Sequence, residues 1–103
     1  MPKVTVVARV KAKSGKEDAV ERELLALVRE TRKEAGCINY DLHRSADDST
    51  VFLFYENWES LDHLNRHAES AHIKALRTKA AAEELLDAPT QITLWQMLSE
   101  KGT

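Results

Sequence analysis

Along residues 3–12 apolar and polar positions alternate. Val4, Val6, Ala8, Val10 and Ala12 fall on one side, Thr5, Val7, Arg9 and Lys11 on the other. Period two with β-branched side chains predicts a strand. After the turn Lys13-Ser14-Gly15-Lys16 the period lengthens to 3.6. Val20, Leu24, Leu27, Val28, Thr31 and Ala35 then share one stripe, with charges opposite. Ser14 and Glu17 have the spacing of a capping box, which predicts a helix start there. Gly36 stands where a left-handed residue would end that helix.

From Cys37 to Ser45 the period is two again, with Ile38, Tyr40 and Leu42 on one face and Asn39, Asp41 and His43 on the other. Ala46-Asp47-Asp48-Ser49 is a polar hairpin connection. The strand predicted for 50–58 is apolar on both faces, Phe52, Phe54 and Trp58 against Val51, Leu53 and Tyr55, so both faces should be covered. Ser60 is placed to cap a short helix carrying Leu61, Leu64 and Ala68. Ser70 is placed to cap another carrying Ile73, Leu76, Ala80 and Leu85. Beyond Pro89, residues 90–98 read as a fourth two-faced strand, and the polar tail from 99 to 103 as frayed.

The order β-α-β-β-α-β predicts an α+β, ferredoxin-like domain over 1–103, its helices on one face of a four-stranded antiparallel sheet. Helices on one face cannot cover strands that bury two. A second copy of the chain packed on the bare face is the expected answer, making a homodimer.

Composition narrows the classes. The 43% hydrophobic and 31% charged residues are those of a globular domain. A net charge of −2, with basic and acidic residues interleaved, offers no field for nucleic acid. No apolar run approaches the ~20 residues of a membrane span, and the N-terminus enters a strand with no signal-peptide pattern. A single cysteine excludes an internal disulfide and fits a cytoplasmic protein.

The chemistry concentrates between Glu56 and His72. This stretch holds Trp58 and three of the four histidines, His63, His67 and His72. His63 and His67, four apart, share a helix face, but the spacing lacks the glutamate of H-E-x-x-H and an evident third ligand, so no metal is expected. His72 falls at the second helical position after Ser70, where the helix dipole favours a neutral imidazole. Glu56 shares a face with Phe52, Phe54 and Trp58; a carboxylate in that company is either paired or has a raised pKa.

Glu56-x-Trp58-x-Ser60 at a strand end, followed by His63-Leu64-x-x-His67 and by Ser70-x-His72-x-Lys74-Ala75, resembles the antibiotic biosynthesis monooxygenase family, and within it the quinol monooxygenase branch. Gly36-Cys37 before the second strand fits the same branch. The resemblance implies a dimeric α+β barrel that oxidises quinols or related phenolic polycyclic substrates with O2, without metal, flavin or other cofactor. Where anthrone-oxidising members carry an asparagine, this chain has Phe54. Where heme-degrading relatives carry their iron ligand, it has Arg77, which argues against heme.

Cofactor-free oxygenation needs a base for the substrate hydroxyl, donors for the resulting anion, and a dry cavity. His67 and His72 are the candidate bases. Trp58, Phe52 and Phe54 are the candidate walls, and Asn57, His43 and Glu56 the candidate polar contacts, with Tyr40 a further donor. Two rivals share these residues. One is an isomerase of small phosphorylated sugars, with Lys74 and Arg77 as phosphate contacts. The other is a dimeric ligand-binding module without catalysis.

Overall fold

In the computed structural model, which describes residues 2–99, the chain runs β1 (Val4–Lys11), α1 (Glu17–Thr31), β2 (Cys37–Arg44), β3 (Val51–Trp58), α2 (Leu61–Ala68), α3 (Ala71–Ala82) and β4 (Gln91–Trp95). The strands pair antiparallel in the order β2-β3-β1-β4. This is the ferredoxin-like arrangement expected, with α2 and α3 together forming the second crossover. The tail from 100 onward lies outside the described residues.

Strand parity divides the sheet. Val6, Ala8 and Val10 of β1 lie opposite Glu56, Phe54 and Phe52 of β3, and Tyr40 of β2 lies opposite Glu56. These side chains pack against Val20, Leu24, Leu27 and Val28 of α1 to make the core. Trp58, wholly buried, is its largest member. Burying such aromatic area dominates a small core, and Trp58→Ala should cost about 3–5 kcal/mol.

Several local expectations are corrected. Ser14 does not cap α1. The N-cap is Lys16, with no side-chain cap bond, and the Glu17 carboxylate instead turns back to accept from the Gly15 amide. α1 ends at Thr31, so Ala35 is not on it, and residues 32–36 turn into β2. Gly36 keeps its left-handed backbone (φ +82) for that turn rather than for a helix cap. The His63 ring packs onto it so closely that a Cβ there would overlap His63 Cγ. Leu85 is buried but sits past the end of α3, in a turn where Glu84 has φ +50. Ile38 leaves the predicted alternation at a register shift between Cys37 and Asn39. The caps of α2 and α3 are as expected: Ser60 accepts from the His63 amide and Ser70 from the Ile73 amide.

β4 is shorter than the pattern suggests, pairs only with β1, and is exposed along its whole length. Trp95, Met97 and Leu98 are all more than half exposed. On the helix-free face, Tyr55 and Trp95 are exposed and Val7 and Leu53 half-buried. Across that face Thr5 Oγ1 donates to Asn57 Oδ1 (2.6 Å), Asn57 Nδ2 to Asn39 Oδ1 (2.9 Å), and Asn39 Nδ2 to Asp41 Oδ2 (3.1 Å).

Candidate active site

Between the sheet and the helices lies a cavity of about 330 Å³. β1 contributes Val6, Ala8 and Val10 to its wall, β2 Tyr40, β3 Phe54 and Glu56, and β4 Ile92 and Leu94. α1 adds Leu24 and Leu27, α2 Leu64, Asn65 and His67, and α3 Ile73, Leu76 and Arg77. The lining is mostly apolar, as small-molecule sites are.

His67 is held at this wall from behind. Ser60 starts α2 so that His67 falls in its last turn and is buried against the sheet. Its ring lies 4.8 Å from Trp58 and 5.3 Å from Tyr40, centroid to centroid. Its Nδ1 is 2.7 Å from Glu34 Oε2, and His72 Nε2 is 2.6 Å from the same oxygen. An ionised carboxylate only accepts, so the ring nitrogens facing it carry the protons. His67 is left with Nε2 as its unprotonated nitrogen, on a ring that borders the cavity. Burial holds the His67 pKa below the ordinary histidine range, against the opposing pull of Glu34. It is therefore neutral near pH 7 and able to accept a proton.

Glu56 is a second titratable group on this wall. It is 3% exposed, and Trp58 Nε1 donates to its Oε1 at 2.9 Å. Burial pushes its pKa up to about 7, the Trp58 bond pulling the other way. Of the two possibilities for a carboxylate in this company, the raised pKa is the one found, since no Arg or Lys pairs with it among the described residues. Tyr40, opposite Glu56, is pushed well above the usual phenol range by its own burial and then by Glu56, so its hydroxyl stays protonated.

The placement of the other expected residues is uneven. His72 sits at the second position of α3 as predicted, but it borders a smaller groove of about 190 Å³ with Glu30 and Lys79 rather than the main cavity. Trp58 and Phe52 are core residues behind the wall; Phe52 carries the Arg44 guanidinium over its ring at 4.9 Å. Asn57 and His43 belong to the opposite sheet face by strand parity and do not reach this cavity; Asn57 spends its amide on Thr5 and Asn39. His63 bonds Ser60 Oγ through Nδ1 (2.8 Å) and packs on Gly36, a structural role. Cys37 is half-buried, its thiol pushed up to about 11 by burial, and so is a poor nucleophile at neutral pH.

Glu34 is the residue that sequence reasoning missed. It lies in the turn after α1, where neither helical nor strand period applies, and meets the histidines only in the folded chain. Glu34, His67 and His72 bring one carboxylate oxygen and two ring nitrogens within 4.8 Å of one another, a set able to hold a metal ion. The histidines brought together are His67 and His72 rather than His63 and His67, and Glu34 supplies the third ligand atom that the spacing lacked.

A ferredoxin-like sheet with a buried histidine and a buried carboxyl on one apolar cavity defines an α+β protein built around a small-molecule site. The chain belongs to the antibiotic biosynthesis monooxygenase family, whose pattern matches residues 3–79. It is 36% identical over 97 residues to "Putative monooxygenase Rv0793" of Mycobacterium tuberculosis, covering 94% of this chain and 93% of that protein. The solved structure of that protein superposes with a TM-score of 0.87 over 97% of this chain and 99% of its own. "Probable quinol monooxygenase YgiN" of Escherichia coli K12 is 31% identical over 84 residues, covering 70% of this chain and 79% of that one. The Pseudomonas aeruginosa protein PA3566 gives a TM-score of 0.85 at 37% identity, over 96% and 97% of the two chains.

Proposed function

We propose that this protein is a cofactor-independent monooxygenase that oxidises a quinol or related phenol with O2. The observation that carries the reading is the Glu34–His67 pair: a carboxylate fixes one ring nitrogen and leaves the other free on a ring that lines a mostly apolar cavity. In the proposed reaction the substrate hydroxyl gives its proton to His67 Nε2, and Glu34 stabilises the imidazolium that forms. Phe54, Tyr40 and the β1 valines enclose the flat ring, with Tyr40 a donor for the oxyanion. His72 supports Glu34 from outside rather than serving as the base. The quinol class is supported by the name of the YgiN relative and by the apolar lining. Phosphorylated sugars are less well served: Arg77 is the one cation on the lining among the described residues, and Lys74 is engaged by Glu69 at 3.1 Å.

The reading extends to assembly and location. A second copy covering Val7, Leu53, Tyr55 and Trp95 would complete a dimeric barrel over a single domain, 1–103. Light scattering at micromolar concentration should give twice the chain mass, and a monomer mass would refute the pairing. No helix of the described residues is long and apolar enough to cross a membrane, and the lone cysteine supports a cytoplasmic setting.

The test is O2 uptake. Metal-free protein with menadiol or a naphthoquinol should consume O2 faster than buffer, and His67→Ala should remove the excess. Turnover that survives anaerobically would point to isomerisation. Ligand-induced thermal stabilisation without turnover would point to a binding module.

A further inference from the structure

We infer that Glu56 is the acid of this site, delivering the proton that turns a substrate peroxide into products. The inference rests on the monooxygenase reading above and adds a second catalytic group to it. Three observations carry it. The Glu56 carboxyl lies on the cavity wall, opposite Tyr40 on the neighbouring strand and on the same cavity as His67. It is almost wholly buried. Its only side-chain partner among the described residues is Trp58 Nε1, which occupies Oε1 and leaves Oε2 without a side-chain partner.

The groups facing Glu56 make it a proton holder. Tyr40 on β2 is an unionised phenol, and Trp58 on β3 gives a single neutral donor. His67 on α2 is uncharged, and Glu34, from the turn after α1, is an anion that disfavours a second carboxylate nearby. Arg77, exposed at the α3 edge of the cavity, is the one cation on the lining among the described residues. Two titratable groups on one cavity with environments that push them in opposite directions are the mark of an acid and a base.

The steps balance. The hydroxyl proton of the quinol goes to His67 Nε2. The anion passes an electron to O2, and the radical pair joins to form a peroxide on a ring carbon that still bears hydrogen. Glu56 protonates the distal oxygen, giving the hydroperoxide. The Glu56 carboxylate then removes the proton from that carbon. Its electron pair forms the carbonyl as the O–O bond breaks, and the leaving hydroxide takes the proton held on His67. Water and a hydroxyquinone leave, and both side chains return to their starting states.

Glu56→Gln retains an oxygen for Trp58 and loses the proton, so it separates acid from scaffold. Turnover should fall by roughly 10²-fold, and the O2 still consumed should appear as H2O2 rather than as hydroxylated product. Glu56→Asp should recover part of the coupling. Unchanged turnover with fully coupled product in Glu56→Gln, at an unaltered thermal midpoint, would overturn the inference. A turnover-free measurement stands beside it. In a Trp95→Phe background, Trp58 fluorescence should titrate near neutral pH and lose that titration in Glu56→Gln; a flat wild-type profile through this range also overturns the inference. A wild-type protein that takes up no O2 ends both readings, whereas coupled uptake in Glu56→Gln ends only the acid assignment.

Discussion

Glu56→Gln also has a thermodynamic signature, independent of any reaction. The carboxyl is buried, and its pKa rises from 4.5 to about 7 on folding. A raised carboxyl pKa means that the folded chain binds the proton more tightly than the unfolded one. The stability this contributes is present below pH 4.5 and is lost as pH climbs to 7. At 1.36 kcal/mol per pH unit, the rise from 4.5 to about 7 corresponds to about 3 kcal/mol. Gln cannot ionise and keeps the acceptor for Trp58 Nε1. Relative to the wild type, the variant should therefore gain about 3 kcal/mol between pH 4.5 and pH 8. Urea denaturation of both proteins at these pH values measures it. Taking the difference between the two proteins removes every other titrating group, including His67, whose lowered pKa makes the folded state less stable as pH falls. Parallel stability curves for the two proteins would show that Glu56 ionises as freely in the fold as in water, and the burial argument would fail.

Other perturbations test separate parts of the site. Trp58→Phe removes the donor that favours the Glu56 carboxylate, so the Glu56 titration, followed by the infrared carboxyl stretch, should move to higher pH; movement to lower pH would contradict the bond. Glu34→Gln should lower turnover by about 10²-fold by releasing the His67 ring, measured by O2 uptake with naphthoquinol, with little change in thermal midpoint. Gly36→Ala forces a Cβ into the His63 ring and a side chain onto a left-handed backbone. It should cost about 2–3 kcal/mol by denaturant titration. Ser60→Ala should cost about 1 kcal/mol by removing the cap of α2, and a larger loss would mean that the His63 contact matters more than the cap.

The elements were legible because each carries its own period. Two-residue alternation marks β1 and β2, a short run apolar on both faces marks β3, and the 3.6 stripe from Val20 to Thr31 marks α1. Ser60 and Ser70 mark two helix starts by a mechanism that needs only local chain. His67 was legible because α2 is short and capped, so its last turn is fixed a few residues from Ser60. What failed locally did so where two local signals compete. Ser14 and Gly15 each suit a helix start, and the turn at Gly15 left the Glu17 carboxylate to bond the Gly15 amide itself. Gly36 suits a helix end, yet the chain needs its positive φ (+82) to enter β2 and to admit His63.

The division of labour proposed for the site is not legible in the sequence for a different reason. It depends on contacts between residues far apart in sequence, which carry no periodic trace. Glu34 and His67 are 33 positions apart, and nothing in either neighbourhood names the other. Parity separated Asn57 from Glu56 on adjacent positions of one strand, so the polar residue next to Trp58 went to the bare face and the acidic one to the cavity. That choice has a cost the fold must recover elsewhere, since a buried carboxyl next to Trp58 and Tyr40 destabilises the chain at neutral pH by the amount argued above. A residue that only packed there would be better replaced by Gln or Leu. A buried carboxyl held toward its uncharged form on the same cavity as a neutral histidine is the physical reason to assign Glu56 chemistry and not structure.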